Sequence, residues 1–242
     1  MYLRRIPTED IRRRYNAAVE VWPASDSWHS HLRARLNEAL AFESRNLELS
    51  ADARILNIGS RGSHYSFTSE NHFHLDLCEI GMAQISLFVR ADAHLLPFAS
   101  GSFDLILMIG SVINYCDAAR LISECARCMK QNAILVFDFE NLRTWEYWRH
   151  WRYNIALAST DYAGTREKIW VYSPVLIEAM LEASKLSIER KVYVHTLTGL
   201  FLELWDSEPM RRFLSRFDRF WGDVPIVRNR AASILLTCRK CF

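Results

Sequence analysis

No apolar run in the 242 residues approaches the ~18 that would cross a bilayer, so no transmembrane segment is expected. The opening MYLRRIPTEDIRRRY lacks the apolar core of a signal peptide, and a cytoplasmic location is expected. Thirty basic residues against 28 acidic ones leave a formal charge of only +2. Without a dominant basic field, no nucleic-acid partner is expected. Internal repeats, low-complexity tracts and flexible linkers are also missing, which argues for a single structural domain. What remains is ordinary: half the residues are hydrophobic and 24% charged, enough for a sizeable core. The eight tryptophans are the excess, and several fall outside the candidate core strands, as an aromatic pocket or interface would require.

Thr8, Glu9 and Asp10 read as a helix start, with acids in the first turn, and that helix is expected to reach about Trp22 and stop at Pro23. A second helix, from about Ser27 to Leu47, carries Leu32, Leu36, Leu40 and Phe42 broadly at helical spacing. Residues 1–50 therefore form a helical cap, and 51–242 the main domain. In the latter, strands are expected near 54–58, 72–77, 86–91, 103–110 and 133–139. Between the last two lies a helix, Ala118–Lys130, N-capped by Asp117 and burying Leu121, Ile122, Cys125 and Met129. Further on come a helix Pro174–Lys185, a strand near 187–197, an arginine- and aromatic-rich helix near 208–221 and a strand Ala231–Arg239. Alternation of this kind predicts a parallel sheet with helices on both faces.

Three segments carry the chemistry. ILNIGSRGS (55–63) is an apolar run entering a turn in which Gly59 and Gly62 let the backbone approach a ligand closely. HFHLDL (72–77) ends in Asp76, about twenty residues beyond Asn57, where a doubly wound sheet sets a carboxylate against ribose hydroxyls. ADAHLLPFASGSFDLILMIG (91–110) opens on Asp92 and closes on a strand running to Ile109 and Gly110.

Glycine loop, acid, acid, LPF and FDLI in this order resemble the class I S-adenosylmethionine-dependent methyltransferases. The resemblance covers roughly residues 50–240. It implies an α/β fold, a Rossmann-like seven-stranded sheet with helices on both faces, closed by an antiparallel hairpin that SIERKVYVHTL and AASILLTCRK would form. It implies S-adenosylmethionine as cofactor. By resemblance Asn57, Gly59, Ser60 and Arg61 form the loop against it, Asp76 and Leu77 meet the ribose, and Asp92 and Ala93 the adenine. Ile109 and Gly110 run along it, and Tyr15 covers it. Tyr115, Trp145 and Trp148 would bind the acceptor, expected to be a small molecule methylated on oxygen or nitrogen.

Departures from the family pattern are local. Asn57 stands where an acid is usual, Arg61 and Ser63 where glycines are usual, and Lys130-Gln131-Asn132-Ala133 replaces a lysine–proline–glycine–glycine turn. Asn132 can still adopt the left-handed turn. These changes leave open an alternative: a degenerate, non-catalytic copy of the fold serving as a regulatory or scaffold partner. A nicotinamide-dependent enzyme would need the full G-x-G-x-x-G that GSRGSHY does not supply.

Other patterns point less sharply. His72, His74 and Asp76 read H-x-H-x-D, a metal-ligand spacing on one strand face, but Leu77 stands where metallo-β-lactamase-like hydrolases continue with histidine. A buried strand with satisfied histidines, and no metal, is the expectation. Cys125–Cys128 and Cys238–Cys241 are C-x-x-C pairs with zinc-like spacing, although Cys125 lies on a buried stripe and reads equally as a core residue. Trp145, Trp148 and Trp151 recur every third residue and could share a helix face, packing on the sheet or lining a pocket. Arg212, Arg216 and Arg219 fall near one helix face, solvated or turned to an acidic substrate or membrane surface. No base is singled out by spacing; Asn114, Tyr115, Asp138, Glu140 and His195 are candidates by location. The asparagine/aspartate–proline–proline–aromatic motif of nucleobase methylation is absent, the fourth strand being followed by GSVINY.

Overall fold

The computed structural model describes residues 6–17, 26–79, 84–162, 165–196, 209, 213 and 224–241. Two helices come first, α1 (Thr8–Ala17) and α2 (Ser27–Asn46). Asp26 caps α2 by accepting from the His29 backbone N–H at 3.1 Å. Strands β1 (Ile55–Ile58), β2 (His72–Asp76), β3 (Phe88–Arg90) and β4 (Phe103–Met108) follow, then α3 (Ala118–Cys128) and β5 (Met129–Glu140). The remainder comprises β6 (Ile155–Tyr162), β7 (Thr165–Tyr172), α4 (Pro174–Ala183), β8 (Leu186–Val194), the short α5 (Pro225–Arg228) and β9 (Ser233–Lys240).

Seven strands form one sheet in the order β3-β2-β1-β4-β5-β9-β8, parallel from β3 to β5 and antiparallel at β9 and β8. The expected closing hairpin is therefore present. Helix α2 covers one face through Leu32, Leu36 and Leu40, which pack with Leu105, Leu107 and Val136. Helices α3 and α4 cover the other, where Leu121, Ile122, Cys125, Ile177 and Leu181 meet Leu56, Ile106, Leu135 and Phe137. Burying each such Leu or Ile contributes about 1.5–3 kcal/mol. One polar tie fastens α2: buried Glu43 accepts from Arg190 at 2.7 Å and from the Thr237 hydroxyl at 2.8 Å.

Several local expectations need correction. Helix α3 stops at Cys128 rather than Lys130, because Met129 turns extended (φ −71°, ψ 138°) and opens β5 at once; Asn132, with a left-handed φ of 62°, lies where β5 slips register against β4. Strand β3 is shorter than 86–91. Strands β6 and β7 pair antiparallel in a two-stranded sheet of their own, which the sequence pattern did not announce. The extension of the first helix toward Trp22 lies outside the described residues, as do Arg212, Arg216 and Arg219; of the helix expected near 208–221 only Pro209 and Phe213 are described, both helical.

Candidate active site

The switch point of the sheet lies between β1 and β4, whose strands lead to diverging neighbours, and a cleft opens above their carboxyl ends. Gly59 leaves β1 with φ 70°, donating its N–H to Leu75 O at 2.8 Å. A Cβ at Gly59 would stand 2.6 Å from Val112 Cγ2, so only glycine fits there without displacement. Gly59→Ala is expected to cost on the order of 2 kcal/mol in a denaturant melt, strain plus clash. Pairing it with Val112→Ala removes the clash and leaves the strain.

Asn57 is not at the cleft wall; its Nδ2 donates to Ser63 O at 2.6 Å and ties the loop back onto β1. Gly59, Ser60, Arg61, Asp76 and Leu77 line one side of the cleft. The carboxylate of Asp76 accepts from Cys78 N–H at 3.0 Å and from Arg61 N–H at 3.3 Å, which fixes its rotamer toward the loop. Burial pushes its carboxyl above the usual range, and these N–H donors oppose that.

Asp92, Ala93, Ile109 and Gly110 line the facing side. Asp92 Oδ1 accepts from the His94 N–H at 2.9 Å and meets His94 Nδ1 at 2.6 Å. His94 Nε2 accepts in turn from the Asp117 N–H at 2.8 Å, so the proton sits on Nδ1 and the ring acts as a strut between α3 and Asp92. The sequence reading missed His94; the A-D-A-H spacing carries the signal, since an Asp two residues before a His can close this short loop.

At the far end of the cleft, Tyr15 from α1 donates to the Tyr115 hydroxyl at 3.0 Å, and Tyr115 donates to Glu167 Oε2 at 2.7 Å. Arg14 reaches the same oxygen at 2.5 Å. Burial, then the neighbouring Tyr15 and Glu167, raise the Tyr115 hydroxyl well above its ordinary value, so it stays protonated. Arg14 and Glu167 also escaped the sequence reading, because β7 supplies one partner and α1 the other.

The other base candidates hold structure. Asp138 is fully buried and accepts from Gly110 N–H at 2.7 Å, Ser111 N–H at 3.1 Å and the Ser111 hydroxyl at 3.2 Å, fixing the turn after β4; desolvation raises its carboxyl to about 6. Asn114 bridges β5 and β7, donating to Trp170 O at 2.6 Å and accepting from Glu140 N–H at 3.0 Å. Desolvation, then Glu146 and Asp138, raise Glu140 to about 8. His195 stacks on Trp28 with ring centroids 3.6 Å apart. None of these four lines the cleft, whereas Tyr115 does.

Trp145 and Trp148 do not line it either. Their segment is a 3-10 turn, Trp145–His150, broken at Tyr147 (φ −105°, ψ 25°), rather than an α-helix. Trp145 pairs with Trp151 at 5.2 Å, with Arg230 over the latter ring at 3.5 Å, while Trp148 is 53% exposed. The C-x-x-C pairs form no ligand group among the described residues: Cys125 Sγ faces Met108 and Cys128 Sγ faces Phe98 O.

Residues 67–137, spanning β2 to β5, match the model of the methyltransferase domain family. The fold is that of the class I S-adenosylmethionine-dependent methyltransferase superfamily. A Listeria monocytogenes structure described as an S-adenosylmethionine-dependent methyltransferase superposes with TM-score 0.63 at 10% identity, over 88% of this chain and 100% of that one. The geranyl diphosphate C-methyltransferase of Streptomyces coelicolor A3(2), solved with Mg2+, geranyl diphosphate and S-adenosyl-L-homocysteine, gives 0.59 at 14%, over 97% and 98%. The (4+2)-cyclase SpnF gives 0.59 at 14%, over 100% and 99%. No curated protein matches the chain at the sequence level. The matched stretch is a methyltransferase domain, and the superpositions agree with it in fold. As the cyclase illustrates, structural likeness at this identity carries the fold and not the activity.

Proposed function

We propose that the cleft binds S-adenosylmethionine and that the protein transfers its methyl group to the oxygen or nitrogen of a small-molecule acceptor entering beside Tyr15 and Tyr115. The observation that carries this reading is the convergence of Asp76, Asp92 and the Gly59 turn on one cleft of about 460 Å³, within the span of small-molecule sites. The donor set fits the cofactor. Asp76 can accept both ribose hydroxyls, Asp92 the adenine amine, and loop N–H groups the carboxylate. When bound, the cofactor supplies an electrophilic methyl on its sulfonium. The chain's own task is then positioning: holding an acceptor in line, excluding water under α1, and offering the Tyr15 and Tyr115 hydroxyls as hydrogen-bond partners for the nucleophile.

Calorimetric titration of the purified chain with S-adenosylmethionine and S-adenosylhomocysteine tests the cofactor reading; micromolar binding is expected. A folded sample that binds neither supports the alternative, a non-catalytic partner protein on this fold. Incubation with methyl-tritiated S-adenosylmethionine and either a low-molecular-weight extract or total nucleic acid tests the acceptor class. Label is expected in the former, and label confined to nucleic acid overturns the small-molecule reading.

A further inference from the structure

Outside the cleft, three imidazoles converge. His72 and His74, alternate residues of β2, project to one sheet face with rings stacked 4.6 Å apart and inclined 14°. His64, from the loop after the glycine turn, brings its ring centroid to 4.7 Å from that of His72 and 4.8 Å from that of His74. One ring nitrogen from each lies within 4.8 Å of the other two. Both strand histidines were expected to be satisfied in the core, and they are not: Nε2 of each is buried without a hydrogen-bond partner. Leaving such atoms unpaired costs about 1–3 kcal/mol each, which calls for an occupant.

The outward side of each ring is already anchored. His74 Nδ1 meets the Ser60 hydroxyl at 2.8 Å, and the Phe67 backbone carbonyl engages His72. The Phe67 carbonyl accepts from His72 and so leaves the lone pair on Nε2, as in a ligating histidine, while the Ser60 hydroxyl can serve His74 in either role and accepts from Nδ1 when Nε2 ligates. Burial keeps both rings neutral, with His72 lowered to about 3 and His74 to about 4. Beside them the sheet register sets Asn57 opposite His74, and Asn57 Oδ1 is likewise buried without a partner.

We propose that His64, His72 and His74 form a binding site for a divalent transition-metal ion of the zinc, copper or nickel class. An all-imidazole set suits these ions and not calcium or magnesium, which take oxygen ligands. At metal–nitrogen bonds of about 2.0–2.1 Å a tetrahedral ion holds its ligands roughly 3.4 Å apart. The rings therefore close inward on binding, with His64, exposed and carried on a loop, able to supply the movement.

The test uses the full chain freed of metal by a chelator, titrated with Zn2+ by calorimetry and with Co2+ by visible absorption. One ion per chain and a tetrahedral Co2+ band are expected. His64→Ala alters an exposed side chain, and circular dichroism should confirm an unchanged fold. Its affinity should fall by at least the roughly 10–100-fold that losing a mere outer partner costs. His64→Cys should restore binding and add a sulfur-to-cobalt charge-transfer band. No binding by the original chain, or equal affinity in His64→Ala, overturns the proposal, the latter placing the ion on other histidines.

Discussion

Asp76→Ala is expected to weaken S-adenosylhomocysteine binding by about 100-fold or more while the chain stays folded. Two charge-assisted hydrogen bonds to ribose hydroxyls are worth about 1.5–3 kcal/mol each, and about 2.7 kcal/mol already makes that factor. Because Asp76 also accepts from Cys78 N–H, alanine alone would mix a binding loss with a loosened loop. Asp76→Asn separates them: its side-chain oxygen still serves Cys78, but the charge and one acceptor are gone. Calorimetry should therefore rank the original chain, then Asn, then Ala. If both variants bind as the original chain does, the ribose is not at Asp76.

Arg14→Ala should be the most destabilising single change in α1. The Glu167 side chain has no solvent exposure, and Arg14 is the cation against it. Removing one partner of a buried ion pair costs about 3–5 kcal/mol, which for a chain of this size lowers the melting temperature by roughly 10 °C. Glu167→Gln in the same background should recover much of the loss, since the stranded charge is then absent. A thermal melt in which Arg14→Ala matches the original chain would show that the pair does not hold α1 down.

The glycine turn, Asp76 and Asp92 were legible because each is local: an apolar strand followed within a few residues by the group that matters. The same holds for the α3 cap at Asp117 and the left-handed Asn132. Glu167 was not legible, since nothing in TREKIWVY distinguishes an acid that ends fully buried from one in solvent; only the β6–β7 pairing turns it toward Arg14. His64 was missed for the same reason, lying in a loop eight residues from the H-x-H pair. Alternation correctly placed His72 and His74 on one face, but periodicity says nothing about whether a buried nitrogen finds a partner. The tryptophan spacing misled because every-third-residue periodicity fits a 3-10 turn as well as an α-helix, and the turn won where Tyr147 breaks helical geometry.

The position of β9 has a consequence for the chain during synthesis. Strand β5, with Ala133 to Phe139 all buried, pairs on one side with β4 and on the other with β9, yet residues 141–232 intervene. At ~5–20 residues per second the ribosome takes roughly 5–20 s to deliver the missing neighbour. For that interval the longest strand of the sheet presents an unpaired edge, and it is there that a chaperone would first be needed.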